Sequence, residues 1–413
     1  MPHLGNGEHV ISLRKSELVR LLLRFPGCHS PDEEKHFRQF CRLVEAIFHY
    51  EFHSRLERIK ELYAPFDPDC AYEYPLSQVA TLAPGRLSEQ SRQVELLLEE
   101  IRYLLQRANF VRLDRRVLEE AMQRTGRWGI NFVVEFRLFE ELEIYARGTS
   151  LVSEKRPKRF LDLIPAQRLE VPVYDRVVLI VRYKQDARLP HFVDKRCLYV
   201  SLFKDVPRDD LELLVPGVRP KIQPWDVFKI SLPLFVTLPL FFWKLMMGAA
   251  FKLASGVAAM FNSLGTFMSP FSSGLRSYLG FVSTWQKYLI NLLQCLLFQT
   301  LDNNLGAIIH VLDEAEEQEF RELVLSWFFL WRLAGPEGWE ATKLDLAIQD
   351  YLKTYAHLHV DFEIEDALHK LQRFGLAQSD SLGRWHAVPL LEACQRLDEI
   401  WDGYFRYHNP FLS

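Results

Sequence analysis

The chain has 413 residues, 48% hydrophobic and 25% charged, long enough for two or three domains that each bury a core. Its formal charge of −4 is uneven: residues 1–229 carry 37 basic and 34 acidic side chains, residues 230–301 carry four bases and no acid, and residues 302–413 carry 9 bases against 20 acids. The acidic last zone argues against general nucleic-acid binding, and six scattered cysteines without a CxxC pair argue against a disulfide framework or a zinc site.

At the N-terminus there is no signal-peptide core. Glu8 comes early and an amphipathic helix follows at once, so a cleaved presequence is not expected. Residues 10–125 predict helices, with apolar residues at three- and four-residue spacing in "ISLRKSELVRLLLRF", "KHFRQFCRLVEAIFHYEFHSRLERIKELYAPF" and "SEQSRQVELLLEEIRYLLQRANF". Within the second, "HYEFH" puts His49 and His53 on one helical face, the spacing of a metal pair. Glu51 stands at the wrong offset for HExxH and no third ligand follows, which favours an ordinary surface or core pair.

From 128 to 206 the period shifts to alternation. "VVEFRLFEELEIYARG", "DRVVLIVRYK" and "CLYVSLFKDVP" predict strands of one small sheet. "SEKRPKRF", in a connection between strands, holds the compact basic cluster Lys155, Arg156, Lys158 and Arg159, which fits either contact with anionic lipid head groups or a solvated loop.

Residues 230–251 form a 22-residue apolar run broken by Lys244, and as a helix they would rise about 33 Å, enough for a hydrocarbon core of about 30 Å. Pro233 and Pro239 disfavour a soluble core helix, and lipid-spanning helices tolerate them better. Residues 253–275 carry no charge, and Ala250, Ala254 and Ala258 recur at a spacing that lets helices approach closely. Residues 278–298 have a polar side and predict an amphipathic helix. A transmembrane hairpin over 230–275 with both soluble parts on one face is the expectation.

Residues 301–335 predict a long helix, capped by Asn303 or Asn304 and ended by Gly335 and Pro336. Its acidic turn "DEAEEQE", with Asp302 upstream, offers Asp302, Asp313, Glu316 and Glu317 as weak metal candidates; the alternative is a solvated face with Glu317 and Arg321 paired at i,i+4. The remaining pattern of helix, helix and short extended stretch around Trp385 suggests a winged helix. Its would-be recognition helix begins with Asp361, Glu363, Glu365 and Asp366, which phosphates would repel. GxxxxGK, strand-borne GxGxxG and GxSxG motifs are missing, so nucleotide and acyl-transfer chemistry find no support.

Several stretches together, above all "LDNNLGAIIHVLDEAEEQEFRELVLSWFFLWR" with "VPVYDRVVLIVRYK" and "KIQPWDVFKISLP", resemble the uncharacterised family that includes animal transmembrane protein 143. The resemblance covers about residues 50–390. It implies two central spans between soluble parts and, for animal members, a mitochondrial location; it implies no activity.

The expected fold is therefore an α+β membrane protein: an N-terminal helical region (1–127), a β-rich part (128–229), a transmembrane hairpin (230–275), amphipathic and acidic helices (276–335) and a winged-helix-like C-terminal region (336–413). The expected function is a membrane-anchored interaction or scaffold protein. Alternatives are a membrane-bound metal-dependent hydrolase using the 302–319 segment and a membrane-tethered DNA-binding regulator. No cofactor is expected. Expected partners are the lipid bilayer and a protein partner or a second copy, with no nucleic acid. The expected location is a bacterial inner membrane with cytoplasmic termini, or a mitochondrial membrane in a eukaryote.

Overall fold

A computed structural model describes residues 9–25, 30–69, 87–117, 131–155, 168–189, 191, 193–208, 211–216, 218–221, 286, 290 and 297–405. They fall into two units, one of residues 1–113, 138–205 and 301–413, the other of residues 114–137 and 206–300. In chain order the elements are α1 (Lys15–Leu23), α2 (Pro31–Tyr63), α3 (Leu87–Arg107), β1 (Val111–Arg112), β2 (Asn131–Val134), β3 (Phe139–Lys155), β4 (Arg168–Tyr183), β5 (Leu198–Pro207), α4 (Leu211–Leu214) and β6 (Val218–Lys221). Then follow β7 (Thr300–Asn303), α5 (Asn304–Phe329), α6 (Ala341–Ala356), α7 (Ile364–Arg373), β8 (Ala377–Ser379), β9 (Trp385–Ala387) and α8 (Leu390–Tyr404).

In the first unit α5 is the axis. From Leu323 to Leu330 its side chains are buried on every side, the pattern of a helix enclosed by other elements rather than lying on a surface. Trp327 stacks on Phe40 of α2 at 4.1 Å between ring centroids and on Trp331 at 5.0 Å, while Phe25 meets Phe328 edge-on at 5.9 Å. The helix widens into a π turn over Leu330–Ala334 and stops at Gly335, whose φ of 61° suits a residue without a Cβ. Helix α2 starts at a capping box: Ser30 accepts from the Glu33 amide, the Glu33 carboxylate accepts from the Ser30 amide, and Pro31 stands where an N–H is not needed.

The sheet of this unit has the order β1-β3-β4-β5-β7. Strands β3 and β4 pair antiparallel from Phe139↔Tyr183 to Lys155↔Arg168. Residues 177–181 of β4 are all buried, so this strand is covered on both faces, which its unbroken Val-Val-Leu-Ile-Val run requires. At Gly148 the φ is +70° and the Asp175 carboxylate fills the space a Cβ would need. The edge strand β7 comes from beyond the long apolar stretch of the chain, and there Asn303 accepts a hydrogen bond from Ser201 of β5 at 2.9 Å. The last helices fold back on the first: α7 lies against α5, and Tyr404 of α8 stacks near Tyr50 of α2 at 4.7 Å.

In the second unit β2 and β6 pair antiparallel, from Asn131↔Lys221 to Val134↔Val218. The Arg115 guanidinium lies 4.0 Å above the Phe136 ring.

The membrane class needs correction. No helix among the described residues is long and apolar enough to cross a membrane. The transmembrane hairpin, the transmembrane character and the integral inner-membrane or mitochondrial location are therefore not retained. The described helices long enough to span, α2, α3 and α5, carry charged residues along their length, more than a hydrocarbon core admits. Residues 230–275, on which the hairpin was placed, lie outside the described residues, as do Arg156, Lys158 and Arg159 of the basic cluster; Lys155 is the last described residue of β3.

The sheet is clamped to α3 by one buried carboxylate. Glu143 of β3 accepts from Arg102 of α3 at 2.6 and 3.2 Å and from the Tyr145 hydroxyl at 2.9 Å, and Arg112 of β1 lies 3.1 Å away. Burial alone would raise its pKa, but the hydrogen bonds from Arg102 and Tyr145 and the two arginine charges hold it below the usual range. Its stabilising effect is complete above the unfolded value of about 4.3 and is lost as pH falls through the lower native value. Urea midpoints measured between about pH 5 and 3 will fall less steeply for Glu143→Gln than for the parent; equal slopes would count against the clamp.

Candidate functional site

The acids that the sequence offers as metal candidates sit on or beside α5, and the fold answers several acids of this helix with cations from other elements. Lys15 of α1 reaches Glu316 at 2.8 Å and Glu45 at 3.3 Å. His49 of α2 places Nδ1 3.1 Å from the other oxygen of Glu316. Arg147 of β3 lies 2.7 Å from Glu314, with Arg176 of β4 at 3.5 Å. Arg107, the last residue of α3, reaches Glu319 at 3.2 Å and Asp366 of α7 at 2.8 Å. Glu317 is taken by Arg321 one turn along the same helix.

Asp302, Asp313, Glu316 and Glu317 consequently do not converge. Asp302, on β7, sits 3.4 Å from His310 and leans over Gly306, whose missing Cβ leaves room for it. Glu316 is buried between Lys15 and His49, and Glu317 points to Arg321. Asp313 has a raised pKa, from partial burial and the neighbouring Glu316 charge against the relief given by His310. His49 and His53 do share a face of α2, their rings 6.1 Å apart, but Glu316 is the hydrogen-bonding partner of His49 and Glu57 lies 4.0 Å from His53.

Among the described residues, Glu319, Glu322 and Asp366 are the acids whose ligand atoms come within 4.8 Å of one another. A protein cation already occupies their centre. The Lys370 ammonium of α7 bonds Glu322, lies 3.0 Å from Glu319 and 2.8 Å from Asp366, and is almost fully buried. A metal would have to displace it and also overcome Arg107, so this donor set does not fit a metal. Around it, Gln318 donates to Glu322 at 2.7 Å and to the His9 carbonyl at 3.2 Å, and Asn109 donates to the same carbonyl at 2.7 Å. Burial pushes the Glu319 carboxyl up despite Lys370 and Arg107, whereas Asp366, also partly buried, is held down by Lys370. Three carboxylates raise the Lys370 pKa well above normal against the cost of burial.

Sequence reasoning missed Lys15, Arg107, Arg147, Arg176 and Lys370 as the partners of these acids. The signal available was the charge imbalance between the basic surplus before residue 229 and the acidic surplus after residue 302, which invites pairing between the two halves.

The match to known proteins begins within β4 and ends in the first turn of α5. A DUF3754 domain, described as a protein of unknown function, spans residues 174–306. The domain includes Arg176 and the Asp302-Asn303-Asn304 corner, where Asn304 donates to Asp69 at 2.9 Å. No solved structure matches the chain.

The central cluster makes a definite prediction. Lys370→Met leaves Glu319 and Glu322 buried without their ammonium and is expected to cost about 3–5 kcal/mol of stability at pH 7. The unpaired carboxyls then bind protons in the native state at higher pH than in the unfolded chain, so the loss shrinks as pH is lowered toward about 4.3. Urea titration at pH 7 and 5 measures both; a change under 1 kcal/mol that ignores pH would contradict a desolvated cluster.

Proposed function

We propose that this chain is a non-catalytic interaction or scaffold protein, acting through a protein partner or a second copy. The observation that carries the reading is that α5 spends its carboxylates internally, on cations from α1, α2, α3, β3, β4 and α7. Acids paired in this way position elements, which supports a structural role for most of the acidic turn. The contact surface consequently belongs elsewhere than on the acidic turn.

A DNA-binding regulator is less well supported. In α7 Asp366 and Lys370 face α5, Arg373 pairs with Glu51 of α2, and the preceding Glu363 lies 3.7 Å from His9. The exposed turns at the start of α7 carry Asp361, Glu363 and Glu365, which phosphates would repel. The metal-dependent hydrolase keeps one point in its favour, the raised pKa of Asp313 beside His310. Kinship with the family that includes transmembrane protein 143 rests on the Asp302-Asn303-Asn304 corner and the acidic helix that follows, and it suggests no activity.

Calorimetric titration of the full chain with Mn²⁺ and Mg²⁺, with Asp313→Asn and Asp302→Ala alongside, separates the two readings. The scaffold reading expects no stoichiometric binding and no metal-dependent hydrolysis of phosphate or carboxylic esters. One metal bound per chain, lost in Asp313→Asn together with such hydrolysis, would replace it by the enzyme.

A further inference from the structure

A groove of about 590 Å³ opens between α1 and α2 in the first unit, floored by Val19, Phe320 and the buried Cys41. Five cations line it: Arg14, Lys15 and Arg20 from the start and first turns of α1, and Arg38 and Arg42 one turn apart on α2. Two acids, Glu45 and Glu317, face them. Glu317 is already held by Arg321, and Glu45 shares Lys15 with Glu316. Arg38 is bonded to Glu34 at 2.7 Å but its side chain stays 48% exposed. Arg42 is exposed and makes no ion pair or hydrogen bond among the described residues. So Arg14, Arg20 and Arg42 bring to the groove positive charge that no ion pair among the described residues neutralises, in a chain whose net charge is −4.

We propose that this groove is a binding site for a small phosphate-bearing ligand carrying two or more negative charges. Four of the five cations are arginines, whose planar forks match phosphate oxygens two at a time and keep their charge at any working pH. Gathering like charges in a concave wall costs stability that an anion repays, and the concavity focuses the field on the space it encloses. The volume falls within the range of small-molecule sites, about 300–1,000 Å³. The mixed floor matters too: the Lys15 ammonium lies 5.6 Å from the Phe320 ring centre, so an apolar portion of the ligand can rest on Val19 and Phe320 while its phosphates meet the arginines. A long polyanion would need its cations spread along an extended face, and here they converge on one hollow. This site is independent of the scaffold reading, since the phosphates would meet the arginines of α1 and α2, which pair with none of the acids of α5.

The test uses the full chain with inorganic pyrophosphate and ATP as soluble probes, citrate as a carboxylate control, and vesicles of phosphatidylcholine with and without phosphatidylinositol bisphosphate. Binding of pyrophosphate or ATP is expected at low salt, weakening steeply as salt rises. It should drop at least tenfold in Arg42→Glu and partly recover in Arg42→Lys, which restores the charge without the fork. Because Arg42 is exposed and unbonded, these variants should melt with the parent, and a matched melting curve guards against misfolding. Binding confined to the phosphoinositide vesicles, with the same variant dependence, also supports the proposal and identifies the phosphate as a lipid head group. Citrate binding as tight as pyrophosphate, unchanged affinity in Arg42→Glu, or no binding to any phosphate probe at low salt would overturn it.

Discussion

The fold of the first unit depends on the neutralisation of one buried acidic helix. Carboxylates taken out of water lose several kcal/mol of solvation each, and only close, hydrogen-bonded cations offset that loss. Helix α5 carries Glu316, Glu319 and Glu322 in the interior and Glu314 half-buried, so α1, α2, α3, α7, β3 and β4 each deliver a cation to a fixed place. An apolar helix of the same length would accept many rotations and slides against its neighbours. A helix that must align Glu316 with Lys15 and Glu322 with Lys370 at once accepts few. Such pairs add little net stability relative to apolar replacements, and their better-attested effect is to penalise wrong arrangements.

The two halves of α5 divide the work. Its last two turns bury Trp327, Phe328 and Phe329 among aromatic rings from α2, α6 and Phe25 just beyond α1. Its middle turns, Asp313 to Glu322, are the electrostatic part and meet the sheet through Arg147 and Arg176. Burial lowers the Arg147 pKa, Glu314 opposes that, and the nearby Arg176 charge adds to it, so Glu314 is the counter-charge that lets two arginines share the strand surface. Asp302 and Asn304 continue the same logic at the entry to the helix, where His310 and Asp69 receive them.

Local structure was legible in the sequence because it is governed by local rules. The stop at Gly335 and the alternation within β3 and β5 are set by neighbours within a few residues. The role of the acids was not legible, because periodicity cannot distinguish a carboxylate facing water from one facing a cation. Lys15 and Glu316 are 301 positions apart, and Arg107 and Asp366 are 259 apart. Length and apolarity measure how strongly a segment avoids water, and they do not say whether lipid or protein does the covering; in α5 and β4 it is protein.

The same bookkeeping of charge explains why a basic groove remains. The N-terminal residues carry a small basic surplus and the C-terminal ones a large acidic surplus, so pairing across the chain consumes Lys15, His49 and Arg107 on the inner faces of α1, α2 and α3. Helices are two-sided. The residues that turn toward α5 satisfy its acids, while Arg14 and Arg42 face outward with no ion pair among the described residues and Arg38 pairs only with Glu34 of its own helix. Glu317, the one acid of α5 that reaches the groove, is held back by Arg321. Internal neutrality and external positive charge are therefore produced by the same two helices, and the spacing of basic residues around α1 and α2 decides which of them become structure and which remain for a ligand.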